Sequence, residues 1–355
     1  MYSTKIIGTG SVLPTIKKTN RAFWKNSFFN KNHLPIEKTS EAITAKFEEV
    51  AGITERRVAE KGVNTSDLGT QSARLAIQSS GIDPETLDYI ILAHNFGDVD
   101  HGTIQSDMLP NLAAKVKQKL GIRNPRCIAY DILFGCPSWI QAFIQANYYL
   151  RSGDVKRVLV IGADTVSRMT DPHDIDGMLF ADGAGAAVLE AEETTEKKGI
   201  LAHVTLSDCV RGADHLKMGA SLKLETNGKY IRMYGKGVFR YAVSKVPVAI
   251  NECIEKAGLT LEDVDKFVIH QANVKMNKII LRRLYELNGY KDYPEHMMPL
   301  VVDKLGNSSA ATVPTVLDLI MKGLMNKQSI EKGDVVVFAS VGAGMHANCI
   351  VYKHF

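Results

Sequence analysis

Two pairs of segments recur in the same order roughly half a chain apart, and no other feature of the sequence limits the fold as tightly. Gly81-Ile-Asp-Pro-Glu-Thr-Leu-Asp-Tyr-Ile-Ile-Leu resembles Gly258-Leu-Thr-Leu-Glu-Asp-Val-Asp-Lys-Phe-Val-Ile, and Gly153-Asp-Val with Gly162-Ala163 resembles Gly333-Asp-Val with Gly342-Ala343. In the first pair, each copy stops a helix at Gly, crosses a short acidic linker and opens an apolar strand, at Tyr89 or at Lys266. Gly-Asp before a Val-rich strand is common among βαβ units by chance. Two pairs in order, at nearly one offset, argue for a duplicated unit.

The apolar runs Val158 to Ile161 and Val335 to Phe338 show no two-residue alternation, as expected of strands covered on both faces. Helical patterns lie between the strands, at Pro137 to Leu150, Val246 to Ala257 and Lys275 to Leu287. Strands alternating with helices predict a layered α/β fold. Two such halves, residues 1–195 and 196–355, predict five layers with helices buried between two sheets. The copies also differ. After Gly162-Ala163 the first spends Asp164 to Phe180 before Ala181-Asp-Gly-Ala-Gly-Ala-Ala-Val-Leu, whereas the second turns at once into Met345 to Tyr352. An element present in one copy is either a tolerated surface insertion or part of an interface.

Composition removes several classes. With 355 residues, 45% apolar and 23% charged, the chain is neither disordered, nor collagen-like, nor a disulfide-dense module. Its net charge of +4 comes from interspersed residues, which implies no nucleic-acid partner. The five cysteines include no CxxC pair and are odd in number, so reduced thiols in a cytoplasmic protein are expected rather than zinc ribbons or disulfides. Met1 to Leu13 reads as a first strand rather than a signal peptide, and no apolar run approaches the roughly 20 residues that span a membrane.

Cys136 differs from the other cysteines. It lies in Asp131-Ile-Leu-Phe-Gly-Cys-Pro-Ser-Trp, where an apolar run ends at Gly135 and a helical pattern opens at Pro137, a residue favoured at a first helical position. A thiol there meets unpaired N–H groups and the helix dipole, which predicts a pKa below the usual ~8.5. A free Cys elsewhere is most often a small core residue. Among ten His, His270 ends a buried strand in Phe267-Val-Ile-His-Gln-Ala-Asn273, the end at which open α/β sheets place ligands. A His there also serves as a cap or a satisfied core group. Gly306-Asn307 precedes a small-residue helix, where Asn also serves as an N-cap. Gly342-Ala-Gly344 follows a strand and offers close backbone N–H groups suited to an oxyanion.

Taken in order, Gly-Cys136 opening a helix, Asp182-Gly-Ala-Gly-Ala-Ala-Val-Leu189, Met233-Tyr-Gly-Lys-Gly-Val-Phe239, His270-Gln-Ala-Asn273, Gly306-Asn-Ser-Ser-Ala-Ala-Thr-Val-Pro314 and Gly342-Ala-Gly344 resemble the β-ketoacyl-(acyl carrier protein) synthase III family of thiolase-like condensing enzymes. The resemblance covers nearly the whole chain. It implies a thiolase-like fold of duplicated βαβαβαββ halves in αβαβα layers, and a homodimer with the active site near the subunit interface. It further implies that Cys136 carries the acyl group, that the N–H groups of Cys136 and Ala343 form the oxyanion hole, and that His270 and Asn307 bind the malonyl thioester carbonyl. No metal or organic cofactor is implied.

The departures from the family are informative. The nucleophile turn is Phe134-Gly-Cys-Pro-Ser-Trp139 rather than a small-residue turn. Lys46 and Val50 stand where members using coenzyme A primers carry a Trp and an Arg, which implies altered primer choice, in fatty-acid initiation or a specialised lipid or polyketide pathway. Arg21 to Ser40 and His94 to Leu109 are lengthened, the latter with Asp98, Asp100, His101 and Asp107, read as a solvated acidic loop rather than a metal site. Leu109, Phe134 and Trp139 are the expected acyl-pocket residues, with Leu109 or a neighbour reaching the partner subunit. Arg240, Lys245, Lys275, Arg282 and Arg283 recur on two helical patterns beside His270; such residues are usually just solvated, and here they are a candidate landing patch for the acidic carrier protein. The expected reaction is decarboxylative Claisen condensation. The alternatives are acyl–acyl condensation without decarboxylation, acyl transfer or thioester hydrolysis by Cys136, and a non-catalytic thiolase-fold partner subunit.

Overall fold

The apolar runs without alternation become strands that are buried on both faces. In the computed structural model, which describes residues 2–355, the first half comprises β1 (Tyr2–Val12), α1 (Ser40–Ala51), α2 (Thr65–Ser80), β2 (Tyr89–Ala93), α3 (Leu112–Leu120), β3 (Ile128–Ile132), α4 (Ser138–Ser152), β4 (Arg157–Thr165) and β5 (Asp182–Glu193). The second comprises β6 (Gly199–Ser207), α5 (Gly235–Lys256), β7 (Lys266–Ile269), α6 (Val274–Leu287), α7 (Thr312–Met321), β8 (Val335–Gly342) and β9 (His346–Lys353). The sheets run β1-β5-β4-β2-β3 and β6-β9-β8-β7. In both, the strands opening at Tyr89 and Lys266 pair in parallel with the strand after the buried helix, and the last strand of the half returns antiparallel.

Side-chain packing produces the five layers. Leu68 of α2 and Leu112 of α3 cover the outer face of the first sheet. Val243 of α5 and Leu281 of α6 cover the outer face of the second. Between the sheets, Trp139 and Phe143 of α4 and Val316 and Leu317 of α7 meet Val160 on one side and Phe338 and Ile350 on the other. Phe143 sits at the centre, its ring 5.5 Å from Trp139, 6.2 Å from Phe338 and 6.0 Å from Tyr352. A helix with a sheet on each side buries most of its surface: α7 is buried at every position but Leu319 and Met321, whereas α4 leaves Gln141 and Gln145 half-buried and Tyr148 exposed.

Small residues let the buried segments approach the first sheet. A Cβ on Gly162 would lie 2.3 Å from the Ala310 carbonyl oxygen, and one on Gly185 would lie 2.7 Å from the Pro314 backbone. The Gly-Ala run after Asp182 is therefore a packing surface for residues 307–315, the stretch that carries Asn307.

The structure departs from expectation in several places. Among the described residues, the second half has no strand between α6 and α7, so its copy of βαβαβαββ is incomplete. The Gln271 side chain instead donates to the Pro299 carbonyl (3.3 Å) and accepts from Val301 N–H (3.1 Å), pairing that stretch without a strand neighbour. Helix α5 begins at Gly235 rather than near Val246 and keeps Pro247 inside it. Gly237 in its first turn packs tightly, since a Cβ there would meet the Tyr234 ring at 2.4 Å. Pro137 is the N-cap of α4 rather than its first residue. Asp98 is buried, not solvated, and accepts from Ser66 N–H (2.7 Å) and Lys115 Nζ (3.1 Å).

The segment found in one copy only is a wall rather than a loose insertion. Asp171 within it accepts from Leu222 N–H (2.6 Å), tying it to a ribbon formed by Leu216–Ala220 and Lys229–Met233. The lengthened segment before α1 crosses both, with Phe29 N–H on the His173 carbonyl (3.0 Å) and Lys31 Nζ on the Met233 carbonyl (3.0 Å). No helix among the described residues is long and apolar enough to cross a membrane.

Candidate active site

Cys136, His270 and Asn307, far apart in sequence, line one cavity of about 620 Å³. They are 8%, 3% and 6% exposed. Cys136 also borders a second cavity of about 220 Å³, walled by Phe96, Val166, Phe180, Leu216 and Ile231. The sulfur thus stands between a wide channel and a smaller, mostly apolar chamber.

Each side chain is held by the backbone logic of its own segment. Gly135 adopts φ +66, a conformation that glycine takes without a Cβ penalty, and swings Cys136 out of the run that follows β3. A Cβ on Gly135 would lie 2.9 Å from Ala343 N, and one on Gly342 would lie 2.6 Å from Cys136 N. The two turns interlock, and only glycine lets the amides of Cys136 and Ala343 come this close. His270 follows β7, its N–H on the Ala339 carbonyl (2.8 Å) and its Nδ1 2.7 Å from Thr312 Oγ1. That contact fixes the ring and leaves Nε2 for the cavity. Asn307 is not the N-cap of α7. Gly306 before it has φ +72, its pro-Cβ position 2.6 Å from Arg56 Cβ, and Asn307 N–H and C=O pair with Leu179 O (3.0 Å) and Ala181 N (2.9 Å). Its Oδ1 accepts from Ser309 N–H (2.9 Å), so the amide orientation is set and Nδ2 remains a free donor.

The electrostatics differ from the expectation for a cysteine at a helix start. Burial pushes the Cys136 thiol up to about 11; the Ser309 hydroxyl, 3.2 Å away and donating, opposes this, and the Asp164 charge adds to it. Cys136 lies one residue outside the Pro137 cap, and the dipole's influence is confined to the helix end, so desolvation prevails. Burial also lowers His270 to about 4. At neutral pH the resting site holds a neutral thiol and a neutral imidazole.

The expected acyl-pocket residues lie elsewhere. Trp139, on the first turn of α4, points into the layer between the sheets, and its Nε1 donates to the Val160 carbonyl at 3.3 Å. Phe134 stacks on His346 at 4.1 Å. Leu109 is 89% exposed. None of the three lines either cavity. Arg240, Lys245, Lys275, Arg282 and Arg283 are exposed on α5 and α6; Lys275 reaches the channel mouth, and Arg283 donates to the Val243 carbonyl (3.0 Å), linking the two helices. Lys38, Lys46 and Val50 border the same mouth. Ser309 and Thr312 went unassigned in the sequence, although both lie inside the Gly306 to Pro314 motif. Asp98 and Asp107 share the Lys115 ammonium (3.1 and 2.7 Å), and Asp100 accepts from Asn64 Nδ2 (2.8 Å).

The family model described as 3-oxoacyl-(acyl-carrier-protein) synthase III matches residues 130–209, and that of its C-terminal domain matches residues 254–354. A β-ketoacyl-(acyl-carrier-protein) synthase III from Ruegeria pomeroyi is 35% identical over 98% of this chain and 97% of its own length. The crystal structure of the synthase III from Thermus thermophilus superposes with a TM-score of 0.81 at 31% identity, covering 99% of each chain. The priming β-ketosynthase of the R1128 polyketide pathway superposes with a TM-score of 0.79 at 27% identity, covering 99% of this chain and 97% of its own. With a cysteine, a histidine and an asparagine around one cavity in a duplicated α/β fold, and with similarity running the length of the protein, the chain belongs to the 3-oxoacyl-(acyl-carrier-protein) synthase III family.

Proposed function

We propose that this protein joins an acyl thioester primer to malonyl-(acyl carrier protein) by decarboxylative Claisen condensation, through an acyl-Cys136 intermediate. The observation that carries the reading is the convergence of Cys136, His270 and Asn307 on one channel, with the Asn307 amide oriented to donate into it.

In the first half-reaction the Cys136 sulfur attacks the primer carbonyl. The charge on that oxygen falls between the interlocked N–H groups of Cys136 and Ala343. The primer's thiol departs with the proton that Cys136 gives up, and the acyl chain lies in the smaller apolar chamber. In the second, malonyl thioester enters the channel with its carbonyl at His270 Nε2 and Asn307 Nδ2. For Nε2 to donate, the neutral ring carries its proton there, and the Thr312 hydroxyl turns its single hydrogen to Nδ1 (2.7 Å) and away from the Ser309 carbonyl (3.1 Å). Loss of CO₂ leaves an enolate whose negative oxygen rests on these two donors. Its carbon attacks the acyl carbonyl, and Cys136 leaves as the β-ketoacyl thioester forms.

The carrier protein docks on Arg240, Lys245, Lys275, Arg282 and Arg283, whose Lys275 end meets the channel mouth. The functional unit is a homodimer: β3 is an open edge of the first sheet, with Ile128 and Leu133 exposed beside it, and an unpaired apolar edge of this kind is normally covered. Exposed Leu109 then meets the second copy. To test the reading, the protein is incubated with a panel of acyl thioesters and then with labelled malonyl-carrier protein. An acyl mass on Cys136 followed by labelled CO₂ and a β-ketoacyl product is expected. Acyl-Cys136 without malonyl-dependent CO₂ would indicate acyl transfer or non-decarboxylative condensation, and an unacylated Cys136 would indicate a non-catalytic subunit.

A further inference from the structure

Behind the sulfur, a line of polar groups runs into the first sheet. Asp164 on β4 is fully enclosed; its carboxylate accepts from Asn95 N–H (2.9 Å), Asn95 Nδ2 (2.6 Å) and Ala310 N–H (3.3 Å). Asn95 Nδ2 also donates to Ser309 Oγ (2.8 Å), and Ser309 Oγ donates to Cys136 Sγ (3.2 Å).

The direction of these bonds follows from donor and acceptor chemistry. An ionised carboxylate only accepts, so Asn95 must present Nδ2 to it rather than Oδ1. The second hydrogen on that nitrogen goes to Ser309 Oγ. A hydroxyl has one hydrogen, and the remaining partner for it is the sulfur. Burial raises Asp164 to about 6, which leaves it ionised at neutral pH. Ser309 holds φ +53, a left-handed conformation uncommon for a residue with a side chain. Strain of this kind persists where surrounding contacts over-determine it, here through Asn307 Oδ1 on its N–H (2.9 Å) and Asn95 Nδ2 on its hydroxyl (2.8 Å).

We propose that Ser309 is a further catalytic residue, donating to the Cys136 thiolate when the sulfur attacks and again when it leaves, and that Asn95 and Asp164 are positioning residues that aim its hydroxyl. The inference rests on Cys136 being the nucleophile, as proposed above. The hydroxyl bond favours the ionised sulfur because hydrogen bonds to a charged group are the stronger ones. The titratable groups around the relay are Asp164, His94 with its partner Asp131 at 3.0 Å, and His270 across the sulfur.

The test reads the sulfur directly. Iodoacetamide alkylation of Cys136 is followed by peptide mass spectrometry across pH in the full-length protein, for wild type, Ser309→Gly and Asn95→Ala. Glycine is the informative replacement because φ +53 suits it. A purely structural role predicts that Ser309→Gly leaves reactivity alone. The catalytic role predicts a folded protein with an alkylation profile moved to higher pH, so that the rate at a fixed neutral pH falls roughly tenfold or more. Asn95→Ala moves the profile the same way by less, since Ser309 can still rotate toward the sulfur. An unmoved Ser309→Gly profile overturns the proposal. Acylation of the wild type by thioesters is measured separately: if no acyl adduct forms, the condensation reading falls, while the alkylation profile still decides the role of Ser309.

Discussion

Replacing Asn307 separates the two half-reactions. Its Nδ2 is a preorganised donor in a site that is 6% exposed, and it reaches the malonyl carbonyl only after the acyl group is on Cys136. Removing one donor of this kind typically costs about 10²–10³-fold in rate, or about 3–4 kcal/mol. Asn307→Ala should therefore slow malonyl decarboxylation by about that factor while acylation continues. Its Oδ1 also holds the Ser309 N–H, so the variant loses about 1 kcal/mol of stability. Asn307→Asp controls for this loss, because one oxygen still accepts from Ser309 N–H while the other is no longer a donor. Decarboxylation should fall as far as in the alanine variant. It should recover in part on acidification, since a buried carboxyl takes up a proton above its usual ~3.9 and then donates. Acylation is read by intact mass over time, and decarboxylation by labelled CO₂ from pre-acylated enzyme. A decarboxylation rate within about threefold of wild type, against the factor set by a lost donor, refutes the reasoning; acylation lost with decarboxylation kept inverts the roles.

Three further outcomes are expected. His270 is lowered from 6.5 to about 4, so the folded state binds fewer protons than the unfolded chain in that range, and its stability contribution is lost as pH falls from 6.5 toward 4. Asp164, raised from 3.8 to about 6, works in the opposite sense, so His270→Gln should become about 2–3 kcal/mol more stable relative to wild type on that acidification; equal pH dependence in urea titrations would count against the assignment. Phe143→Ala should cost about 3–5 kcal/mol by urea unfolding, because its ring fills the layer between both sheets, and a loss under about 1 kcal/mol would mean that layer is loosely packed. Charge reversal at Lys275 and Arg282 should raise KM for malonyl-carrier protein with little change in kcat, and an unchanged KM would remove the docking patch.

The architecture was legible because duplication and strand burial leave marks in sequence. The repeat around Gly81 and Gly258, and the unalternating runs at Val158 and Val335, mark buried strands, and the observed strands begin at Tyr89, Lys266, Arg157 and Val335. What was not legible depended on partners distant in sequence. The helical pattern read from Val246 misses the first turns of α5, where Gly237 packs against the Tyr234 ring. Trp139 beside Cys136 reads as a pocket residue, because adjacency in sequence does not reveal that one helical step turns the side chain into the layer between the sheets. The thiol's helix-end position predicts a lowered pKa, yet burial, a property of the whole fold, raises it. Asn95 and Ser309 were missed for the same reason: nothing local links them, and their role exists only through a shared hydrogen-bond line.

The duplication also explains why the site has two unlike faces. Cys136 precedes the buried helix α4 of the first half, and Ser309 precedes the corresponding helix α7 of the second, so the sulfur and its hydroxyl donor stand at equivalent places and meet at 3.2 Å. The strands that flank these helices are equivalent as well. Beyond β2 and at the end of β4 stand Asn95 and Asp164; beyond β7 and β8 stand His270 and Ala343. One copy's strand ends have become the polar support behind the sulfur, and the other's have become donors toward the channel. The extra segment after β4 follows from this division of labour. Ile175, Leu179 and Phe180 wall the channel in front of the donors, while the second copy turns back at once after Gly344 and keeps Ala343 beside Cys136. A single unit paired with an identical copy would carry the same strand ends on both sides of the sulfur; divergence after fusion permits one side to donate to the sulfur as it ionises and the other to hold an enolate.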